Sequence, residues 1–167
     1  MAGAIARNDS QNGVGKAPAG IEAVIKASSD TALRQSDEEL SSLNALAINC
    51  LRKLPDGRVV SWGGRTLDGA APSTPECKYL PVRRLSLFLE KSLQEGLVWT
   101  VFEANDLPLS SKVRASVEAF LLVHFRQGAF RGTVPRYAFF VRCGNDATSA
   151  DELRRGLLNL HVGFAAL

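Results

Sequence analysis

Histidine is scarce in this chain of 167 residues: there are two, His124 and His161. The sequence has no Cys-x-x-Cys, no His-x-x-x-His and no Asp-rich calcium loop, so the common metal-ligand spacings are absent and no metal is expected. Nothing matches Gly-x-x-x-x-Gly-Lys-Ser/Thr or Gly-x-Gly-x-x-Gly, which removes the usual phosphate cradles. Three cysteines, Cys50, Cys77 and Cys143, are odd in number and widely spaced. That argues against a disulfide framework and fits a reducing cytosol. No apolar run approaches the ~20 residues that span a bilayer. The longest, Ala119 to Phe125, belongs to an amphipathic helix, so no membrane partner is expected. The N-terminus lacks a basic segment leading into an apolar core, and no signal peptide is expected. A formal net charge of +3 is too small for a nucleic-acid footprint.

What is present is a globular composition, 46% hydrophobic and 22% charged, in a length that supports one domain with a core. Residues 1–20 are rich in Gly, Ala and Asn, are punctuated by Pro18 and Gly20, and are expected to form an irregular segment. Residues 21–167 form the domain proper. Ser36-Asp37-Glu38-Glu39 has capping-box spacing and predicts a short helix towards Leu43. Ile48 to Lys53 and Arg58 to Trp62 flank Pro55-Asp56-Gly57, which predicts a β-hairpin. Ala70 to Lys78, with Pro72 and Pro75, is expected to be a surface loop.

Arg83 to Glu95 carries Leu85, Phe88, Leu89 and Ser92 on one helical stripe, and Gly96 stands at the expected C-cap. Leu97 to Glu103 is nearly all apolar and predicts a central strand buried on both faces. Asn105-Asp106-Leu107-Pro108 ends it. The longest helix is expected over Ser111 to Gln127, with Val113, Val117, Phe120, Leu121 and His124 in one stripe. Ala119, Leu122 and Val123 widen that stripe, so this helix is expected to be covered on more than one side. Tyr137 to Cys143 predicts a buried strand, Ser149 to Glu152 a second capping box, and Leu157 to Phe164 a half-exposed edge strand. Strands and helices alternate from Arg58 onward, which predicts an α/β fold bordering on α+β: a mixed β-sheet layered with helices in a single domain.

The chemistry-bearing residues do not assemble into a catalytic pattern. His124 sits on an apolar stripe and His161 on the polar face of the last strand. A Cys143–His124 nucleophile pair and a Glu103/Asp106 carboxylate pair are the enzymatic alternatives, a small hydrolase or transferase. A buried, inert cysteine and helix capping explain the same residues. Arg126, Arg131, Arg136, Arg142, Arg154 and Arg155 accumulate late, as a solvated face or as a contact for an acidic partner.

Eight segments in fixed order resemble contractile tail sheath proteins of phages and injection systems. They are Ala6-Arg7-Asn8-Asp9 with Gly13 to Gly20; Leu43-Asn44 with Ile48-Asn49; Trp62 to Leu67; Val82 to Leu85 with Phe88 to Glu90; Val101 to Asp106; Phe125 to Phe130; Ala138 to Cys143; and Val162 to Ala165. The most specific are Trp-Gly-x-Arg-Thr and Val-Phe-Glu-x-Asn-Asp, and together the eight reach over nearly the whole chain. Gly15, Cys77 and Ser110 stand where relatives often carry Trp, Gly144 where they often have Asp, and Ala166 where they often have Pro. The family's C-terminal arm after the last strand, and its outer domain and N-terminal arm before Met1, are expected to be missing.

The resemblance implies a structural subunit rather than an enzyme, working without a cofactor. Its partners would be copies of itself through strand-exchanging arms, an inner tube protein, and baseplate and terminator proteins, with no nucleic acid and no membrane. It would be assembled in a bacterial cytoplasm as part of a phage tail or a released injection particle. A sheath-like baseplate adaptor or sheath initiator fits the same segments. The interface candidates are Arg65, Arg83, Arg84, Glu103, Asn105, Asp106, Arg126, Arg142 and His161. Arg65, Arg83 and Arg84 are expected to serve the acidic and amide groups Glu103, Asn105 and Asp106.

Overall fold

The computed structural model describes residues 1–70 and 78–167. The loop expected at Ala70 to Lys78 lies, in its span 71–77 with Pro72, Pro75 and Cys77, outside the described residues. Helices dominate and strands are short, a mixed α/β architecture. This is the fold class expected, and its described strands lie in two two-stranded antiparallel ladders. The chain divides into two compact units, Met1–Phe88 and Leu89–Leu167.

In the first unit, residues 1–20 are not wholly irregular, because α1 (Ala2–Asn12) is helical. Its inward positions are Ala4 and Asn8, one turn apart and both buried. A small apolar residue and an amide leave no hydrophobic periodicity to read, so the pattern that signals a helix is missing here. Asn8 tolerates burial because its Nδ2 donates to the Lys16 carbonyl at 3.0 Å.

Helix α2 (Asp37–Ala45) opens with the expected capping box. Ser36 Oγ accepts from the Glu39 N–H, and Glu39 Oε2 accepts from the Ser36 N–H at 2.7 Å. The hairpin also forms as read, from β1 (Cys50–Lys53) and β2 (Val59–Trp62), in a register that sets Cys50 opposite Trp62 and Lys53 opposite Val59. At its turn Asp56 Oδ1 accepts from the Arg58 N–H at 3.0 Å. Gly57 takes φ +85°, a value that glycine adopts without steric cost. Val59 and Val60 are fully buried, and the chain at 20–25 covers the other side of β2 through Gly20 N–H to Ser61 O and Ile25 N–H to Val59 O.

Helix α3 (Leu80–Gly96) crosses the division between the units and buries Leu85 and Leu89 on the expected stripe, while Glu90, Lys91 and Gln94 face solvent. In the second unit the expected central strand is corrected to a 3-10 turn, Val98–Phe102. Its bonds are local, Thr100 N–H to Leu97 O and Glu103 N–H to Thr100 O. Its apolar side chains are not sandwiched: Val98, Val101 and Phe102 are exposed. An apolar run indicates burial, and burial indicates a central strand, only when a neighbour is there to cover it.

Helix α4 (Leu107–Arg126) begins one turn earlier than expected, with Pro108 in its first turn, where a missing N–H costs nothing. Val113, Val117 and Leu121 form its buried stripe, while Ala119 and Val123 are exposed, so the helix is covered on one side rather than on several. A short helix α5 (Pro135–Ala138) precedes β3 (Phe139–Cys143), whose exposure alternates instead of vanishing on both faces. After the second capping box, Ser149 with Glu152, comes α6 (Ala150–Arg154). Then β4 (Leu160–Phe164) pairs with β3, Phe139 opposite Phe164 and Cys143 opposite Leu160. Phe125, Phe130, Phe139 and Phe164 gather in tilted and edge-on contacts between 5.4 and 6.5 Å. The Phe140 ring lies across Gly163, where an added Cβ would come within 2.1 Å of Phe140 Cε1.

Candidate functional site

The residues singled out in the sequence fall into two groups. In the first unit the Ala6-Arg7-Asn8-Asp9 segment is a docking strip on α1. Arg7 donates to the Val24 carbonyl, Asn8 holds the Lys16 carbonyl, and Asp9 receives both terminal nitrogens of Arg84, one at 2.8 Å. Both side chains of that pair are about a quarter exposed. Hydrogen bonds from Arg84 hold the Asp9 carboxyl below its ordinary range, against burial that pushes it up. Arg84 therefore has Asp9 as its partner, rather than Glu103 or Asp106.

Arg65 is stapled through its backbone. Its N–H donates to Asn49 Oδ1 at 3.0 Å, and its carbonyl accepts from Asn49 Nδ2 at 2.7 Å. Its guanidinium reaches the Ala45 carbonyl at 3.4 Å. Asn49 thus acts like a neighbouring strand for one residue, and Gly63 leaves room for it, since a Cβ there would sit 2.5 Å from Asn49 Oδ1. Arg83 points to solvent from α3. Asp9 and Asn49 stand among the resembling segments but not among the interface candidates; only their place in the Ala-Arg-Asn-Asp and Ile-Asn pairs marked them.

In the second unit Asp106 is the N-cap of α4, with Oδ1 accepting from the Leu109 N–H at 2.9 Å. Asn105 Nδ2 donates to the Leu157 carbonyl at 3.1 Å, and its Oδ1 is buried without a partner. Glu103 is exposed at the end of the 3-10 turn. These three groups cap a helix, pin a loop and face solvent; they do not converge as an acid–base pair would.

Arg126 lies in the last turn of α4, the end at which the helix dipole favours a cation. Arg142 and His161 are brought together as directly opposed residues of β3 and β4, both exposed. The Arg142 guanidinium lies 5.2 Å from the centre of the Phe140 ring. Cys143 is buried, and burial pushes its thiol up, away from the thiolate a nucleophile needs. Burial likewise lowers His124, whose ring meets Phe120 edge-on at 4.6 Å. Arg114 ties α4 to the end of β3, donating to the Cys143 carbonyl at 3.1 Å and pairing with Asp146. Beside it Ser110 and Gly144, both departures from the family pattern, touch each other: a Cβ on Gly144 would lie 2.8 Å from Ser110 Cβ. Among the described residues no group of three or more metal-ligating side chains occurs, and no helix is long and apolar enough to cross a membrane.

No protein-family model matches the chain, and no curated protein matches it. Solved structures do. A chain of an extracellular contractile injection system, the PVC sheath complex in its contracted state, is 30% identical over 100% of this chain with a TM-score of 0.91. A chain of the anti-feeding prophage helical sheath, also contracted, is 33% identical over 99% of this chain with a TM-score of 0.87. A chain of the anti-feeding prophage baseplate is 33% identical over 99%, with a TM-score of 0.89. The chain spans 45% to 46% of the length of these solved chains.

Proposed function

We infer that this chain, a domain of the contractile tail sheath family, is the packing core of a sheath subunit. Such a subunit polymerises around an inner tube and contracts to drive the tube through a target envelope. The observation that carries this is the likeness over the full chain, at 30% and 33% identity, to chains of two contracted sheath complexes. The local chemistry supports a structural role over an enzymatic one. Asp9 and Asp106 are occupied with an ion pair and a helix cap, and the Cys143 thiol is disfavoured as a thiolate by burial. Contraction of this kind needs rearranged subunit contacts and no cofactor. The partners in this reading are other copies through strand-adding arms, a tube protein, and baseplate and terminator proteins; it involves no nucleic acid and no membrane, and assembly takes place in the cytoplasm.

A second reading, a sheath-like adaptor or initiator at the baseplate, is favoured by the likeness to chains in anti-feeding prophage baseplate structures. Electron microscopy of the protein carrying both flanking arms separates the two. Tubes or stacked rings are expected from a sheath subunit, and single rings that form only on a baseplate are expected from an adaptor. Monomers under all conditions would sink both.

A further inference from the structure

The second unit carries an uncovered apolar ridge and, elsewhere on its surface, an apolar groove. The ridge is the 3-10 turn Val98–Phe102. Trp99 anchors it to the first turns of α4, with Lys112 Nζ 4.6 Å from its ring centre. Val98, Val101 and Phe102 point away, and Phe102 is 97% exposed. The hydrogen bonds of the turn are its own, so the ridge keeps its shape without a neighbour. Apolar side chains grouped and largely exposed in this way mark a contact surface.

The groove runs between α4 and β3 and has a volume of about 530 Å³. Ala119, Leu122, Pro135 and Phe139 give it apolar walls, and Arg136 stands on its rim. Its one lining carboxylate, Glu118, lies one turn from Arg114, which feels its charge. From Ala119 to Asn145 the chain has no acidic residue at all. The ridge, by contrast, ends in the exposed carboxylate of Glu103. Ridge and groove therefore match in kind twice over, apolar to apolar and anion to cation.

We propose that the Val98–Phe102 ridge of one copy seats in the α4–β3 groove of a second copy, with Glu103 against Arg136. This deepens the sheath reading and rests on it, naming one contact by which copies recognise each other. The two halves are different patches of the same surface, so the contact is head-to-tail and repeats instead of closing on a pair.

Sedimentation velocity on this chain over a concentration series tests it. The parent should self-associate as concentration rises. F102D, at a position where folding asks nothing of the side chain, and A119W, which fills the groove from an exposed site, should each stay monomeric with unchanged thermal midpoints. Mixed one to one, they should form a dimer that grows no further, because one intact ridge and one intact groove remain. E103R or R136E alone should weaken association at least tenfold, and the double reversal should recover it. A parent that stays monomeric throughout, an F102D that associates like the parent, or a mixture without dimer would each overturn the contact. Tubes seen by electron microscopy in any of those cases would leave the sheath reading standing without it.

Discussion

Arg84 grips Asp9 across 75 positions of sequence, each terminal nitrogen on its own carboxylate oxygen. The pair fixes α1 to α3 within the first unit. A two-pronged, partly desolvated contact of this sort depends on planar geometry as well as charge. R84K keeps the charge and loses the fork, and is expected to cost about 1–2 kcal/mol, with D9A costing about the same or more. Urea unfolding monitored by circular dichroism measures both.

The same pair sets an acid limit. The Asp9 carboxyl titrates below its ordinary value of 3.8 in the folded chain. A lowered folded value means that the stabilisation is complete above the unfolded value and fades as pH falls through the folded one. Stability should therefore decline below about pH 4, and the decline should be shallower in D9N. Thermal midpoints between pH 2 and pH 6 decide this; identical profiles for parent and D9N would remove Asp9 from the account.

Asp106 starts α4, which supplies much of the buried core of the second unit. D106A should lower stability by about 1 kcal/mol and D106N by much less, since asparagine caps nearly as well. D106A and D106N that unfold at the same urea concentration would show that the Asp106 cap contributes nothing to stability.

Much of this was legible beforehand, and the failures share a cause. Both capping boxes and the Pro55-Asp56-Gly57 hairpin formed where read, because their signals are local hydrogen bonds that need nothing from the rest of the chain. Helix α1 was missed because it faces inward through Ala4 and Asn8, so no apolar period exists to find. The Val98–Phe102 run was misread because composition reports how much apolar surface a segment has and not whether anything covers it. The partner of Arg84 was beyond reach for a similar reason: charge signs are written in the sequence, but which carboxylate lies within 3 Å depends on tertiary packing. Among the interface candidates, the Arg142–His161 apposition followed once β3 and β4 paired in register, something neither residue signals alone.

Gly144 sits at φ +71° with Ser110 against the place where its side chain would be. Both residues are buried. G144A faces strain from the backbone and a clash at once, and should cost about 1–3 kcal/mol. Adding S110G relieves the clash and leaves the strain, so the double variant should recover only part of the loss. A double-mutant cycle in urea measures the split.

Cys143 should alkylate slowly in the folded protein and quickly once unfolded, because burial disfavours its thiolate. Peptide mass spectrometry after timed iodoacetamide treatment separates it from Cys50 and Cys77. Rapid labelling of Cys143 at neutral pH in the native state would bring the nucleophile alternative back.

The Phe140 ring over Gly163 supplies its own reporter. The glycine's α-protons lie beside the ring atoms and must carry a ring-current shift, in a region of the proton–carbon spectrum that only glycines occupy. Phe140 also lines the α4–β3 groove. Whatever enters that groove and turns the ring will move one glycine resonance, so occupancy of the surface can be followed in solution from a residue that has no side chain of its own.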